Sequence, residues 1–230
     1  MLKMKAQHVA EPIDRRSFRG VLLAITELLI MVAVIYADVL IPSLIVVAAG
    51  VLFTLLRREK PPITRPPQGF TAAGFVLRML GWAVVWTAVE YALILPVQNH
   101  LLGDTRNVDS FAAVQGDLVN LLLFLLLSWT VAAVGEELAF RGFFQNRIIS
   151  LFRGRTPGIV VAVTLTSLLF GFMHREQGVV GVAVTAIDSV FFSVIRYRYE
   201  SVWASVLVHG FLNSIGLIAF YFAGPLYGLW

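Results

Sequence analysis

Residues 118–142 read LVNLLLFLLLSWTVAAVGEELAFRG. The stretch begins as an apolar run and ends in two adjacent glutamates and an arginine. An apolar run of roughly 20 residues is what a membrane-spanning helix requires. Ionisable side chains inside such a run are expensive, face a protein interior or a water-filled cavity, and mark a functional site by default. This one stretch therefore points both to the fold class and to the place where chemistry is done.

The rest of the chain repeats the apolar theme. Of 230 residues, 58% are hydrophobic and 14% charged, with a mean hydropathy of +0.82. Average soluble domains carry about 25% charged residues. The reading is an all-α, polytopic transmembrane helical bundle of about seven spans, within a range of six to eight. The spans are placed near 20–37, up to 56 after a turn at Asp38–Pro42, 72–97, from 118 into the glutamate motif, 158–174, 178–195 and 202–223. A basic cytoplasmic segment, 1–19, precedes one membrane-embedded domain, 20–230, with its motifs in 136–213. The first helix reads as uncleaved, because a second apolar run begins almost at once.

Charge sets the orientation. The N-terminus, the 57–71 loop, the 147–157 loop and a loop at Arg196 and Arg198 read as basic, and the intervening loops do not. That alternation predicts an integral membrane protein, in the plasma membrane, with its N-terminus in the cytoplasm. The pI near 9.7 has the same origin and carries no expectation of nucleic-acid binding. No cysteine is present, which excludes disulfides, thiol nucleophiles and thiolate metal sites.

Three short motifs carry chemistry: Glu136-Glu137-x-x-x-Arg141, Phe170-x-x-x-His174 and His209-x-x-x-Asn213. Residues four apart on a helix share a face, whereas neighbours point about 100° apart. Glu137 and Arg141 can thus pair, leaving Glu136 free as a general base. His209 and Asn213 share one face and present N–H donors, as a developing oxyanion requires. His174 is left to orient water or shuttle a proton, while Phe170 packs. No serine stands beside a base, which favours attack by water over an acyl-enzyme. Glu27, Glu90 and Asp188 are further acids inside spans, able to pair with Arg78 or to line a cavity, and receive no catalytic role. The tryptophans read as interface markers.

The motif series, with Phe140-Arg141-Gly142, Phe170-Gly171 and Leu207-Val208-His209 around it, resembles the CPBP family of CAAX prenyl protease and bacteriocin-processing (Abi) membrane proteins. The resemblance covers about the second half of the chain. It implies a glutamate-type intramembrane endopeptidase, without metal or other cofactor. Glu136 and His174 would activate water, and His209 and Asn213 would hold the oxyanion. The implied partners are a membrane-associated peptide or protein substrate and membrane lipids.

Two alternatives stay open. Glu136, His174 and His209 could make a two-histidine, one-carboxylate zinc site, although HExxH is absent. Buried acids and histidines also build proton-coupled transporters, or sit in non-catalytic proteins, but no internal repeat is visible. One expectation is awkward. With these span boundaries His174 lies toward the far side of the membrane from Glu136 and His209. Convergence then needs a helix broken at depth, with Gly135, Gly171 and Gly178 as candidate break points.

Overall fold

A computed structural model describes residues 18–37, 41–59, 69–152 and 155–225. The basic segment 1–19, apart from its last two residues, lies outside them, as do the turn residues 38–40, the proline-rich stretch 60–68 and Trp230. The described residues form helices joined by short connections, with no strand among them. The helices are α1 (Phe18–Ala37), α2 (Pro42–Leu56), α3 (Ala72–Leu102), α4 (Leu118–Leu151), α5 (Thr156–Met173), α6 (Gly178–Tyr199) and α7 (Val202–Ala223).

Local chemistry sets several of the starts. Thr71 Oγ1 accepts from Gly74 N at the head of α3. Asp117 accepts from the amides of Val119 and Asn120 at the head of α4. Both caps satisfy amides that have no partner inside the helix. Pro42 occupies the first turn of α2, where its missing N–H costs nothing.

All of these helices except α2 are long and apolar enough to cross a membrane. With 15 residues, α2 reaches only about 22 Å, short of a hydrocarbon core of about 30 Å. The molecule is inside-out relative to a soluble protein. Leucines such as Leu29, Leu55, Leu77, Leu126 and Leu168 are exposed, whereas Glu137, Arg141 and Gln145 are fully buried. It is an integral membrane protein whose outer face is apolar and whose interior is partly polar.

The helices extend into two of the expected basic loops, reaching Leu151 in the first and Tyr199 in the second. Arg147 lies inside α4, bonded to Glu27 of α1 at 2.7 Å and to Glu59 at 3.2 Å. Arg196 lies inside α6 and donates to Asn146 Oδ1 at 2.6 Å. Both side chains are buried, so neither is a free loop charge; their partners make burial possible. Three tryptophans are likewise tied inward: Trp82 to Tyr199, Trp86 to Asp188 and Trp129 to Ser214. Glu27 pairs with Arg57 and Arg147 rather than with Arg78, whose guanidinium covers the Phe70 ring.

The depth conflict disappears because α4 is longer than expected. It runs 34 residues to Leu151. Glu136 is therefore 15 residues above that end, and His174 is 18 residues above the start of α5, roughly 22 and 27 Å at helical rise. Gly135 and Gly171 break nothing. Gly171 is a close-approach point, since a Cβ there would lie 2.5 Å from the Val182 carbonyl oxygen of α6. Gly178 does mark a break: its φ of +76° follows a 3₁₀ turn, Arg175–Gln177, and opens α6. Around the glutamate motif α4 winds as a π-helix over Ser128–Glu136 and Leu138–Phe144. π-Helical turns are rare and concentrate at functional sites.

Candidate active site

The residues singled out by sequence come together. Glu136, His174, His209 and Asn213 all line one cavity of about 520 Å³ enclosed by α3–α7. Its walls are largely apolar, with Phe111, Phe124, Phe192, Leu212 and Phe220 among them. Convergent polar groups in a mostly apolar concavity are the ordinary form of a binding site.

Glu137 and Arg141 occupy the layer behind the cavity. Arg141 Nη1 donates to Glu137 Oε1 at 2.9 Å, and both side chains are fully buried. Arg141 Nη2 also donates to the carbonyl and hydroxyl oxygens of Ser189, each at 2.8 Å. The guanidinium sits between two aromatic faces, 5.0 Å from the Phe170 centroid and 5.4 Å from that of Phe192. The i,i+4 ion pair is present, and Phe170 packs as expected.

The same carboxylate holds a histidine. His209 Nδ1 lies 3.0 Å from Glu137 Oε1, and its ring stacks on Phe192 at 4.6 Å. A carboxylate only accepts, so Nδ1 carries the proton. Nε2 can then donate only when the ring is an imidazolium. Sequence reasoning treated Glu137 as a partner of Arg141 alone; its second role, toward His209, depends on a contact 72 residues away.

His174 is oriented by its own helix. Its Nδ1 lies 2.9 Å from the Phe170 carbonyl oxygen. A carbonyl also only accepts, so Nδ1 is the protonated nitrogen and, in the neutral ring, Nε2 carries the lone pair. Glu136 Oε2 is buried with no hydrogen-bond partner among the described residues. The pair at the cavity thus comprises an unengaged carboxylate oxygen and an imidazole with a fixed tautomer.

Below Arg141, one face of α4 continues with Gln145, which donates to Thr166 and Ser193 and accepts from Tyr197. The four-residue rhythm 137, 141, 145 was visible in sequence, but Gln145 was not recognised as part of it. Glu90, Asp188 and Arg106 also line the cavity. The acids were noticed as intramembrane charges; Arg106 reaches the cavity from the connection between α3 and α4.

The zinc ligand set is not assembled. Among the described residues, no three of His, Asp and Glu stand close enough together to hold a metal ion. Glu136, His174 and His209 line one cavity without forming a tight cluster.

Residues 118–215 match the family described as Type II CAAX prenyl endopeptidase Rce1-like. The match is a similarity to that family over 98 of the chain's 230 residues. It spans α4 to most of α7 and contains Glu136, Glu137, Arg141, His174, His209 and Asn213. Helices α1 to α3 precede it. The matched region supplies Glu136, His174, Asp188, His209 and Asn213 to the cavity, and α3 adds Thr87, Glu90 and Tyr91. Comparison with curated proteins and with solved structures returned no match.

Proposed function

We propose that this protein is a metal-independent, glutamate-type intramembrane endopeptidase that hydrolyses a peptide bond of a membrane-associated protein or peptide. One observation carries the reading. Three separated motifs deliver Glu136, His174, His209 and Asn213 to a single apolar cavity, all from the region similar to the Rce1-like family.

In this reading Glu136 takes a proton from a water molecule, which attacks the scissile carbonyl carbon. His174 Nε2 accepts a hydrogen bond from the same water and orients it. The carbonyl becomes a tetrahedral oxyanion. Asn213 donates to that oxygen from its amide nitrogen, and His209 donates from Nε2 as an imidazolium. Glu137 makes the imidazolium tolerable, because its carboxylate faces both Nδ1 of His209 and the Arg141 guanidinium. That group of three carries net positive charge beside the place where negative charge develops. Collapse of the intermediate breaks the C–N bond, and the proton held by Glu136 passes to the leaving amine. The other oxygen of the new carboxylate comes from water, and no covalent enzyme intermediate forms.

The cavity walls favour a substrate that arrives through the membrane, and the exposed leucines of the outer face support membrane lipids as the bundle's surroundings. We assign residues 20–230 to one membrane-embedded domain, in the plasma membrane, with segment 1–19 in the cytoplasm. The test is a comparison of new protein termini in membranes carrying wild type or Glu136→Gln. A set of termini present only with wild type supports the reading; identical sets oppose it.

A further inference from the structure

The cavity is lined by further ionisable residues that the reaction leaves unused. Glu90, in a π-helical turn of α3 (Glu90–Ile94), and Asp188 of α6 both line it, and they are 3% and 6% exposed. Trp86, one turn before Glu90, donates to Asp188 Oδ1 at 2.7 Å, which brings both carboxylates to one corner of the cavity. Arg106 is the cation at this corner. Its Nε is spent on Gln177 Oε1 at 2.7 Å, and its Nη1 is 3.9 Å from Glu90 Oε1, beyond hydrogen-bond reach.

The corner therefore holds two carboxylates against one guanidinium. The cavity also holds buried polar atoms with no hydrogen-bond partner among the described residues. Glu90 Oε2 is buried with no hydrogen-bond partner among the described residues, and the same is true of the hydroxyls of Thr87 and Ser128. All three residues line the cavity. A buried carboxylate oxygen without a donor is costly, because it has lost water and gained nothing. The chemistry that answers this deficit is a compact cation with several N–H donors. A primary ammonium supplies one positive charge and three donors.

We propose that the Glu90–Asp188 corner is a specificity subsite that takes a lysine side chain of the substrate peptide. The proposal rests on the endopeptidase reading. It places a basic residue at a set position relative to the scissile bond, because Glu90 of α3 and Glu136 of α4 line the same cavity.

The test uses purified protein in nanodiscs and peptide pairs differing only by lysine or norleucine at each position around the cleaved bond. Wild type is expected to favour lysine over norleucine at one position by roughly ten- to hundredfold in kcat/KM, the scale of one charge-assisted hydrogen bond. Glu90→Gln is expected to lower that ratio toward one. Arg106→Gln removes the competing internal cation and is expected to raise it, a change of opposite sign that misfolding does not produce. No position with a lysine preference, or a preference unchanged in Glu90→Gln, overturns the proposal.

A second readout separates the subsite from the activity. n-Butylammonium, but not n-butanol, is expected to raise the melting temperature of wild type and not that of Glu90→Gln. If no peptide is cleaved, the endopeptidase reading fails, and the thermal shift alone decides the subsite. A shift lost in Glu90→Gln then supports cation binding, and no ammonium-specific shift overturns it.

Discussion

Replacing Arg141 by alanine breaks the most deeply buried ion pair among the described residues. Arg141 and Glu137 are both fully buried and 2.9 Å apart, and Arg141 makes two further hydrogen bonds to Ser189. The substitution leaves the Glu137 carboxylate at depth without its guanidinium partner, beside His209 and Ser205. Removing one member of a buried pair costs about 3–5 kcal/mol, because the other charge is stranded. For a chain of this size, each kcal/mol shifts the melting temperature by roughly 2–4 °C. The expected fall is therefore about 6–20 °C. The assay is thermal unfolding in one detergent for wild type, Arg141→Ala, Glu137→Ala and the double variant. The double variant is expected to melt above the sum of the single losses, since it strands neither charge. An Arg141→Ala protein that melts with wild type, or strictly additive losses, would refute the argument that the pair is a buried electrostatic unit.

Other expectations follow from the same geometry. Asn213→Ala is expected to lower kcat by about 10²–10³ with little change in KM, because an oxyanion donor acts on charge that develops in the transition state; steady-state kinetics on one peptide checks this. A membrane-permeant zinc chelator is expected to leave activity intact; loss on chelation with rescue by zinc would move Glu136, His174 and His209 to the role of ligands. Gly171→Ala is expected to destabilise the fold by about 1–3 kcal/mol, since the added Cβ meets the Val182 backbone, which cannot rotate away; thermal unfolding reads this directly.

Much of this arrangement was legible in the sequence, and the reasons are physical. Apolar run length exposes membrane helices, and α1, α5, α6 and α7 lie within a few residues of their expected bounds. The four-residue spacing of Glu137 and Arg141 is a local geometric fact, so their pair could be anticipated. What sequence could not show was long-range. Arg147 and Arg196 read as loop charges because their partners, Glu27, Glu59 and Asn146, lie far away in the chain. Misplacing Arg147 shortened α4, which in turn set His174 and Glu136 at different depths. α2 has the bounds expected for it, and it was counted as a span on composition although 15 residues are too few to cross the hydrocarbon core. The bond between His209 and Glu137 has no local signature at all, since helix packing alone brings them together.

The most direct test of the central claim is the turnover of a cleavable peptide by purified Glu136→Gln in nanodiscs, measured beside its melting temperature. Glutamine keeps the shape of the side chain but cannot take a proton from water. Because Glu136 Oε2 holds no partner among the described residues, folding is expected to be unaffected. General-base catalysis contributes about 10²–10⁴-fold, so kcat is expected to fall by at least that much while the melting temperature stays within about 2 °C of wild type. A well-folded Glu136→Gln protein that cleaves at the wild-type rate contradicts the assignment of Glu136 as the base.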